Sequence, residues 1–298
     1  MPDGATAPVR FFSAPSSLTL PPVTTVQTIH DCRDARKKLG KLALVPTMGA
    51  LHEGHVSLMS LARAHAAKVA VSIFVNPTQF GPREDYTKYP RPIDEDLEKC
   101  RQAGVDLVFA PMAEDIYRPG LAEMVVDLPQ LSTVLEGKHR PGHFRGVCQV
   151  VAKLFNIVQP DVAIFGQKDF QQLRILTAMT EALDWPIEIV PGPTVREPDG
   201  LAMSSRNQYL SAADREKALA ISRGLFTAQL EFNEGVRQTN RLITTIQHIL
   251  LEPHLSIDYI AAVDPITLKH VDVINGPTVL AVAARVGTTR LIDNVVVG

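Results

Sequence analysis

From residue 26 onward, short apolar runs alternate with longer segments whose apolar residues recur at helical spacing. The apolar runs of strand length lie at residues 41–45, 69–75, 105–110, 162–165 and 187–190. Helical periodicity is found between them, at residues 54–67, 94–103, 145–158 and 170–183. Continuous apolar strands that alternate with helices are typical of a parallel sheet covered on both faces. We therefore predict an α/β fold with a doubly wound, mostly parallel sheet.

The pattern changes after residue 193, and we place a domain boundary there. A polar loop at 196–207 leads to helical periodicity at 213–230 and 234–251, and then to β-branched runs at 257–263, 278–286 and 289–297. This order predicts a smaller α+β domain over residues 194–298, after a first domain over residues 23–193. Residues 1–22 are proline-rich and carry only Asp3 and Arg10 as charges, so we predict a disordered tail.

Composition and charge exclude several classes of protein. The 298 residues carry a formal net charge of −2. They contain no basic block with interleaved aromatic residues, which argues against nucleic acid as a partner. No apolar run approaches the ~20 residues that a membrane span needs, so we expect no membrane partner. The three cysteines are widely spaced and form no CxxC pair, as expected for a reduced cytoplasmic protein without a zinc knuckle.

Two histidines, His52 and His55, stand where the strand predicted at 41–45 gives way to a helix. Side chains three residues apart share a helix face, and we place both on the first turn. Backbone amides of a first turn are unpaired and lie at the positive end of the helix dipole, so the junction predicts a phosphate site. A zinc-binding HExxH motif would need the histidines four apart. An ordinary capping or core histidine is the alternative interpretation.

Two further polar segments are suited to phosphate, although neither the GxxxxGK[ST] nor the GxGxxG motif occurs. At a strand-to-helix junction, Gly166 allows close backbone approach, Lys168 offers a positive charge, and Asp169 is able to cap the helix or hold a ribose hydroxyl. A solvated helix start is the alternative there. The second segment, residues 203–207, combines hydroxyls with the guanidinium of Arg206, and its alternative is an ordinary exposed loop.

Six segments together resemble a known family. They are PTMGALHEGH (46–55), SIFVNPTQF (72–80), YPR (89–91), RPGHFRGV (140–147), FGQKDFQQL (165–173) and MSSRN (203–207). In this order they resemble the pantothenate synthetase (pantoate–β-alanine ligase) family of the HIGH-motif nucleotidylyltransferase superfamily. The resemblance implies a Rossmann-like amino-terminal domain, a smaller carboxy-terminal lid, a homodimer, and ATP and Mg²⁺ as requirements.

The resemblance also implies the reaction. The carboxylate of pantoate would attack the α-phosphorus of ATP to give pantoyl adenylate and pyrophosphate, and the amine of β-alanine would then displace AMP to form pantothenate. Two alternatives stay open. One is another nucleotidyltransferase of the superfamily, which would form a dinucleotide or a CDP-alcohol. The other is a catalytically silent nucleotide-binding protein on the same fold.

Residue roles are implied by matching positions in the motifs. The catalytic residues implied are His52, His55, Lys168 and Arg206, with His55 as proton donor. The ATP-binding residues implied are Met48, Gly49, His52, His55, Gly166, Lys168, Asp169, Val195, Met203, Ser204, Ser205 and Arg206. Pantoate would be bound by Asn76, Gln79, Phe80 and Gln172, and β-alanine also by Gln79.

A magnesium ligand is expected in the acidic run at 94–96, with Asp96 as the first candidate and Glu95 as the alternative. Acidic residues also favour a helix amino terminus without any metal. Arg140, His143 and Arg145 are further candidates for contact with anions. Gln167 stands where the family often has Glu.

Overall fold

A six-stranded, fully parallel sheet forms the amino-terminal part of the protein in the computed structural model, which describes residues 23–82, 84–251 and 255–298. The tail predicted at residues 1–22 lies outside the described residues. The strands are β1 (Thr24–Val26), β2 (Leu42–Thr47), β3 (Lys68–Ile73), β4 (Leu107–Phe109), β5 (Val162–Gly166) and β6 (Glu188–Gly192). Their order across the sheet is β1-β4-β3-β2-β5-β6. The chain therefore winds outward from β2 and returns to place β5 beside it, which makes the β2/β5 border the switch point where such sheets bind ligands.

Helices connect these strands and continue into the carboxy-terminal part. Those among the described residues are α1 (Ile29–Arg36), α2 (Glu53–His65), α3 (Ile93–Gln102), α4 (Ala113–Ile116), α5 (Pro129–Ser132), α6 (Glu136–His139), α7 (His143–Val158), α8 (Phe170–Ala182), α9 (Ala212–Asn233) and α10 (Thr239–Leu251). The four helices predicted between the strands correspond to α2, α3, α7 and α8. Five short elements were not predicted: β1, α1, α4, α5 and α6. Elements of so few residues show little periodicity.

Helix boundaries follow local capping chemistry. Thr28 accepts a hydrogen bond from the backbone of Asp31 at the start of α1. Ser211 does the same for Asp214 at the start of α9. Helix α7 begins at His143, two residues before the predicted start, because Gly142 adopts a left-handed conformation (φ +84°) that turns the chain into the helix.

The parallel sheet buries both of its faces, which explains why its strands are continuously apolar. Along β2, Leu42 and Leu44 pack into a core with α1, α7 and α8, whereas Ala43 and Val45 pack into a second core with α2 and α3. Alternate residues of a strand point to opposite faces, so each core receives every second side chain. The predicted α/β, doubly wound fold with helices on both faces is confirmed.

A second, antiparallel sheet follows the predicted boundary, and it consists of β7 (Ser256–Val263), β8 (Thr278–Val286) and β9 (Thr289–Val297). Leu280 and Val282 of β8 pack under α9 and α10 in a separate core. Val279 and Ala281 on the opposite face pack against the core of α7 and α8. The predicted smaller α+β part is thus present, and its sheet joins the two parts through apolar contact. No helix of the described segments is long and apolar enough to cross a membrane.

Candidate active site

The loop from residue 48 to residue 55, here called the histidine loop, joins β2 to α2. Helix α2 begins at Glu53, so His52 is its N-cap and only His55 lies in the first turn, where the sequence had placed both. The Nδ1 atom of His52 accepts the backbone N–H of Gly54 at 3.1 Å, and Nδ1 of His55 accepts that of His52 at 3.3 Å. Both Nδ1 atoms are therefore acceptors. In a neutral imidazole the proton must then be on Nε2.

Both imidazoles are neutral at neutral pH. Burial, with the positive charge of Lys168 as the next cause, lowers the pKa of His52 to about 4. Burial and the adjacent His52 ring lower the pKa of His55 to about 3. The two ring centroids lie 4.1 Å apart. Each ring keeps one N–H donor that is not used by the helix cap, and the histidine loop therefore offers two neutral donors in addition to its backbone amides.

Asp96 supports the histidine loop from beneath. Its side chain is completely buried, and its two oxygens accept the backbone N–H groups of Ala50 at 2.9 Å and of Leu51 at 2.7 Å. A Cβ atom at Gly49, whose φ is +80°, would lie only 2.9 Å from Asp96 Oδ2. Burial raises the pKa of Asp96, and the amide hydrogen bonds oppose that rise. Each Asp96 oxygen already accepts one amide of the loop, and Asp96 does not line the cleft, so the magnesium role expected for it stays a prediction.

A short turn at residues 76–79, here called the glutamine turn, follows β3. Asn76 is 1% exposed and donates to Gln79 Oε1 at 3.0 Å. Tyr117 donates its hydroxyl to Asn76 Oδ1 at 2.7 Å. Gln79 Nε2 lies 3.1 Å from the sulfur of Met48, a weak acceptor. The Gln79 amide is therefore held in place while its N–H groups lack a strong partner among the described residues.

The histidine loop and the glutamine turn line one open cleft at the carboxyl ends of β2, β3 and β5. This is the position expected for a ligand at the switch point. The predicted site residues that line it are Met48, His52, His55, Asn76, Gln79, Phe80, Asp169, Gln172, Ser204, Ser205 and Arg206. Its apolar floor includes Phe74, Val147, Val150, Val151, Leu154 and Phe165.

Other predicted site residues lie beside the cleft. Gly49 belongs to the histidine loop and lies against Asp96, as described above. Lys168 lines a smaller neighbouring cavity that shares Asp169 and Gln172 with the cleft. Its Nζ atom is 3.7 Å from Asp169 Oδ2. Asp169 is the N-cap of α8 but forms no side-chain cap, so of the two roles expected for it the capping role is wrong and the ribose contact stays a prediction.

The remaining nucleotide candidates are fixed by backbone contacts. Val195 accepts the backbone N–H of Met203 at 3.0 Å, which draws these two residues together. A Cβ atom on Gly54 would lie 3.6 Å from Cβ of Met203, so Met203 packs against the start of α2. Gly166 ends β5 in register with Gly192 of β6.

The lid loop, residues 203–207, approaches the cleft from the carboxy-terminal part. Arg206 donates from Nε and Nη2 to the two carboxylate oxygens of Asp85, at 3.1 and 3.0 Å. The hydroxyls of Ser205 and Tyr89 lie 3.1 Å apart. These contacts tie the lid loop to residues 84–89, which we call the acidic loop. Arg140 and His143 also line the cleft, whereas Arg145 is exposed outside it.

Sequence reasoning missed several polar residues at this site, among them Tyr117, Glu84, Asp85 and Asn294. Glu84 and Asp85 lie four and five residues after the motif that contains Gln79, and their acidity near the predicted anion-binding residues was the available signal. Asn294 of β9 donates to the backbone carbonyls of Gln167 and Lys168, both at 2.9 Å. No local pattern identifies Asn294, which lies far along the chain in the carboxy-terminal part.

The fold and the cleft define an α/β enzyme whose site lies at the switch point of the sheet, between a helix start and a second domain. Comparison with known proteins then gives the family. The pantoate-beta-alanine ligase family matches residues 22–296. Pantothenate synthetase 1 of Bradyrhizobium diazoefficiens is 54% identical over 271 residues, which cover 91% of this chain and 94% of that protein. Pantothenate synthetase of Geobacter sulfurreducens is 52% identical over 267 residues, with coverage of 89% and 94%.

Solved structures agree. The crystal structure of pantothenate synthetase from Thermus thermophilus matches with a TM-score of 0.88 and 42% identity, over 92% of this chain and 99% of that one. The Francisella tularensis pantoate-beta-alanine ligase, solved in complex with beta-gamma ATP and beta-alanine, matches with a TM-score of 0.75 and 33% identity, over 92% and 97%. The chain belongs to the pantoate–β-alanine ligase family, and the resemblance inferred from its motifs is confirmed.

Proposed function

We propose that this chain joins pantoate to β-alanine with the consumption of ATP and forms pantothenate, AMP and pyrophosphate by way of pantoyl adenylate. Family membership supports the overall reaction. The observation that carries the assignment to this cleft is that His52 and His55 line it together with the amides of Gln79 and Gln172. Donors suited to a phosphate and amides suited to a small polar substrate therefore line the same cleft.

In the first step, a carboxylate oxygen of pantoate forms a bond to the α-phosphorus of ATP, and the bond from that phosphorus to the oxygen of pyrophosphate breaks. Negative charge on the α-phosphate oxygens would be stabilised by the Nε2–H groups of His52 and His55 and by the amides at the start of α2. Because both rings are neutral, they act in this scheme as hydrogen-bond donors. The proton-donor role expected for His55 stays a prediction.

Pantoate is assigned to the pocket around the glutamine turn. Its hydroxyl and carboxylate groups suit the amides of Gln79 and Gln172, with Asn76 behind them and Phe80 at the wall. The N–H groups of Gln79 would then donate to an oxygen of pantoate, which is a stronger acceptor than the sulfur of Met48. The two methyl groups of pantoate suit the apolar floor, which also keeps water from the reactive mixed anhydride.

The other end of the nucleotide is assigned to the lid side. Arg206, Ser204 and Ser205 would contact the β- and γ-phosphates, with Lys168 approaching from the neighbouring cavity. Met48, Gly49, Gly166, Asp169, Val195 and Met203 would surround the rest of ATP. In the second step the amine of β-alanine, near Gln79, attacks the acyl carbon; a carbon–nitrogen bond forms, AMP leaves, and the amine loses a proton to solvent.

Magnesium is proposed to enter with the nucleotide as Mg-ATP. Among the described residues, no group of three or more His, Cys, Asp and Glu side chains could hold a metal ion. Mg²⁺ commonly binds through substrate phosphates and water with few protein ligands. Asp96 is occupied by the histidine loop, and Glu95 is exposed on α3. The protein part of the site therefore fits a metal carried by its substrate.

A homodimer and a cytoplasmic location complete the proposal. Family resemblance supports the dimer, and the exposed Leu121, Met124 and Val125 offer apolar surface for a second copy. Cysteine usage supports a reducing compartment, since Cys32, Cys100 and Cys148 are all free and buried. Sedimentation equilibrium of the purified protein tests the dimer.

Product analysis tests the function. With pantoate, β-alanine and Mg-ATP we expect AMP, pyrophosphate and pantothenate in equal amounts, and without β-alanine we expect pyrophosphate release that stops at about one turnover. A dinucleotide product would favour the alternative nucleotidyltransferase. Binding of ATP without any pyrophosphate release would favour the silent nucleotide-binding protein.

A further inference from the structure

The first turn of α7 holds the glutamine turn at two points. His143 Nδ1 donates to the backbone carbonyl of Gln79 at 2.9 Å, and Asn76 Nδ2 donates to the carbonyl of Gly146 at 3.1 Å. The two backbones are in direct contact, because a Cβ atom at Gly146 would lie 2.3 Å from the carbonyl oxygen of Thr78. The position of Gln79 therefore depends on the start of α7.

The hydrogen bonds of the His143 ring have a fixed direction. Arg140 Nη1 lies 3.0 Å from His143 Nε2, and an arginine can only donate. Nε2 must then be the unprotonated acceptor, which places the proton of the neutral ring on Nδ1, directed at the carbonyl of Gln79. Burial, followed by the charge of Arg140, lowers the pKa of His143 to about 4. The ring is thus neutral and uses both of its nitrogens within the protein.

Arg140 is itself held by the acidic loop. Its Nε and Nη2 atoms donate to the two oxygens of Glu84 at 2.6 and 2.7 Å. The pKa of Glu84 falls to about 2, since burial, which would raise it, is outweighed by the hydrogen bonds and charge of Arg140. The backbone N–H of Gly81 also donates to Glu84, at 3.2 Å. The chain of contacts therefore starts at Gln79 and returns to Gly81, two residues further along.

We propose that His143 is a positioning residue for the substrate pocket: with Arg140 and Glu84 it fixes the backbone of Gln79 and thereby the direction of the Gln79 amide toward pantoate. This inference rests on the proposed role of Gln79. His143 touches no reacting atom in this scheme. A rival arrangement, in which Arg140 and His143 bind the carboxylate of β-alanine directly, would make them ligands of the second substrate.

Two substitutions at His143 separate these roles. His143→Ala removes the donor to Gln79, and we expect the KM for pantoate to rise about tenfold, the effect of one lost hydrogen bond of ~1.4 kcal/mol. The KM values for ATP and β-alanine should stay within about twofold, and kcat should fall less than the pantoate KM rises. His143→Asn places an amide nitrogen near the Nδ1 position and should recover most of the pantoate KM.

A third variant and a matched control complete the experiment. Glu84→Gln replaces the ion pair with Arg140 by hydrogen bonding to a neutral amide and does not change the core. We expect a pantoate KM about threefold above that of the parent protein. Asn156→Ala, exposed further along α7, should leave all three KM values unchanged. Melting curves and circular dichroism of each variant show which proteins are folded.

The outcomes are distinct. An unchanged pantoate KM in folded His143→Ala, or in Glu84→Gln if His143→Ala does not fold, overturns the proposal. A rise in the β-alanine KM alone also overturns it and favours direct binding of the second substrate. Absence of pantothenate synthesis by the parent protein is a separate result, and it would count against the proposed function itself.

Discussion

The two walls of the cleft are held in different ways. On the sheet side, the histidine loop is hydrogen-bonded to the fully buried Asp96. The glutamine turn is held by hydrogen bonds of Asn76, which is 1% exposed. On the lid side, Arg206 is held by Asp85, and their side chains are 28% and 24% exposed. Buried hydrogen bonds to backbone amides restrain one wall, whereas solvent-accessible side-chain pairs restrain the other.

This difference suits the two tasks of the proposed reaction. A small substrate that must be aligned with a phosphorus atom gains from a wall whose groups do not move, because positioning supplies much of the rate. The wall that contacts pyrophosphate must release it, and a partly exposed pair of side chains is restrained less firmly than a buried contact to the backbone. We therefore expect substitutions on the sheet side to affect alignment and stability, and substitutions on the lid side to affect one half-reaction.

The largest expected effect is at His55. In His55→Ala we expect the rate of pyrophosphate release in single turnover to fall by about 10²–10³-fold, the usual loss when one preorganised donor is removed. The capping contact is lost as well, at a cost of about 1 kcal/mol. His65→Ala, at the other end of α2, is the control. Turnover equal to that of the parent protein would remove His55 from the catalytic set.

The lid side should show a split between half-reactions. In Arg206→Ala we expect adenylation to fall by roughly 10–100-fold, since a charged donor to the leaving phosphates is lost. The attack of β-alanine on preformed pantoyl adenylate should change little, because pyrophosphate has already left. Arg215→Ala, whose side chain pairs with Glu197 and Asp199, serves as control. Equal losses in both half-reactions would contradict the assignment.

Asp96→Asn removes a carboxylate oxygen that accepts a backbone N–H of the histidine loop on the sheet side. The new amide N–H₂ group would face the N–H of Ala50 or Leu51, so we expect a loss of about 1–3 kcal/mol in the free energy of unfolding. The Mg²⁺ concentration for half-maximal rate should stay the same, as it should in the exposed control Glu95→Gln. A higher Mg²⁺ requirement in Asp96→Asn alone would restore this residue as a metal ligand. Urea unfolding and magnesium titration give the two readouts.

The smallest expected effect is a pH dependence of stability on the sheet side. His55 has a pKa of about 3 when folded, below the value of 6.5 for an unperturbed histidine. The unfolded chain therefore binds more protons below pH 6.5, so stability is complete above that pH and is lost as the pH falls toward 3. Between pH 6.5 and 5.5 the loss from this ring should be about 1 kcal/mol at most.

His55→Ala cannot titrate at this position, so its unfolding free energy should depend less steeply on pH over the same range. Urea unfolding at pH 7, 6 and 5 measures both slopes. Identical slopes would show that the His55 ring is not buried in its neutral form.

Much of the fold could be predicted from periodicity. In β2 the continuous apolar run indicated a strand buried on both faces, and α2, α3, α7 and α8 followed from helical spacing. The three-residue β1 carries no detectable period. The start of α7 was misplaced because it depends on the left-handed Gly142 rather than on an apolar repeat.

The candidate site was also predicted only in part. Residues that share a short motif with the histidines or with Gln79 were found, since neighbours in sequence stay neighbours in a loop. The partners that hold them were missed. Asp85 lies 121 positions from Arg206, Glu84 lies 56 from Arg140, and Asn294 lies 126 from Lys168. Asp96 was identified as important, but its hydrogen bonds to Ala50 and Leu51 were not predicted.

The amino-acid sequence by itself determined the order of the longer strands and helices, the placement of the polar motifs at strand ends, and the family, because these depend on local periodicity and on contiguous motifs. Only the tertiary structure decided which atoms those groups face. Asp96 faces two amides, both histidines turn Nδ1 inward, and His143 points to the carbonyl of Gln79. Such choices depend on burial and on hydrogen-bond partners that the fold brings together from distant parts of the chain.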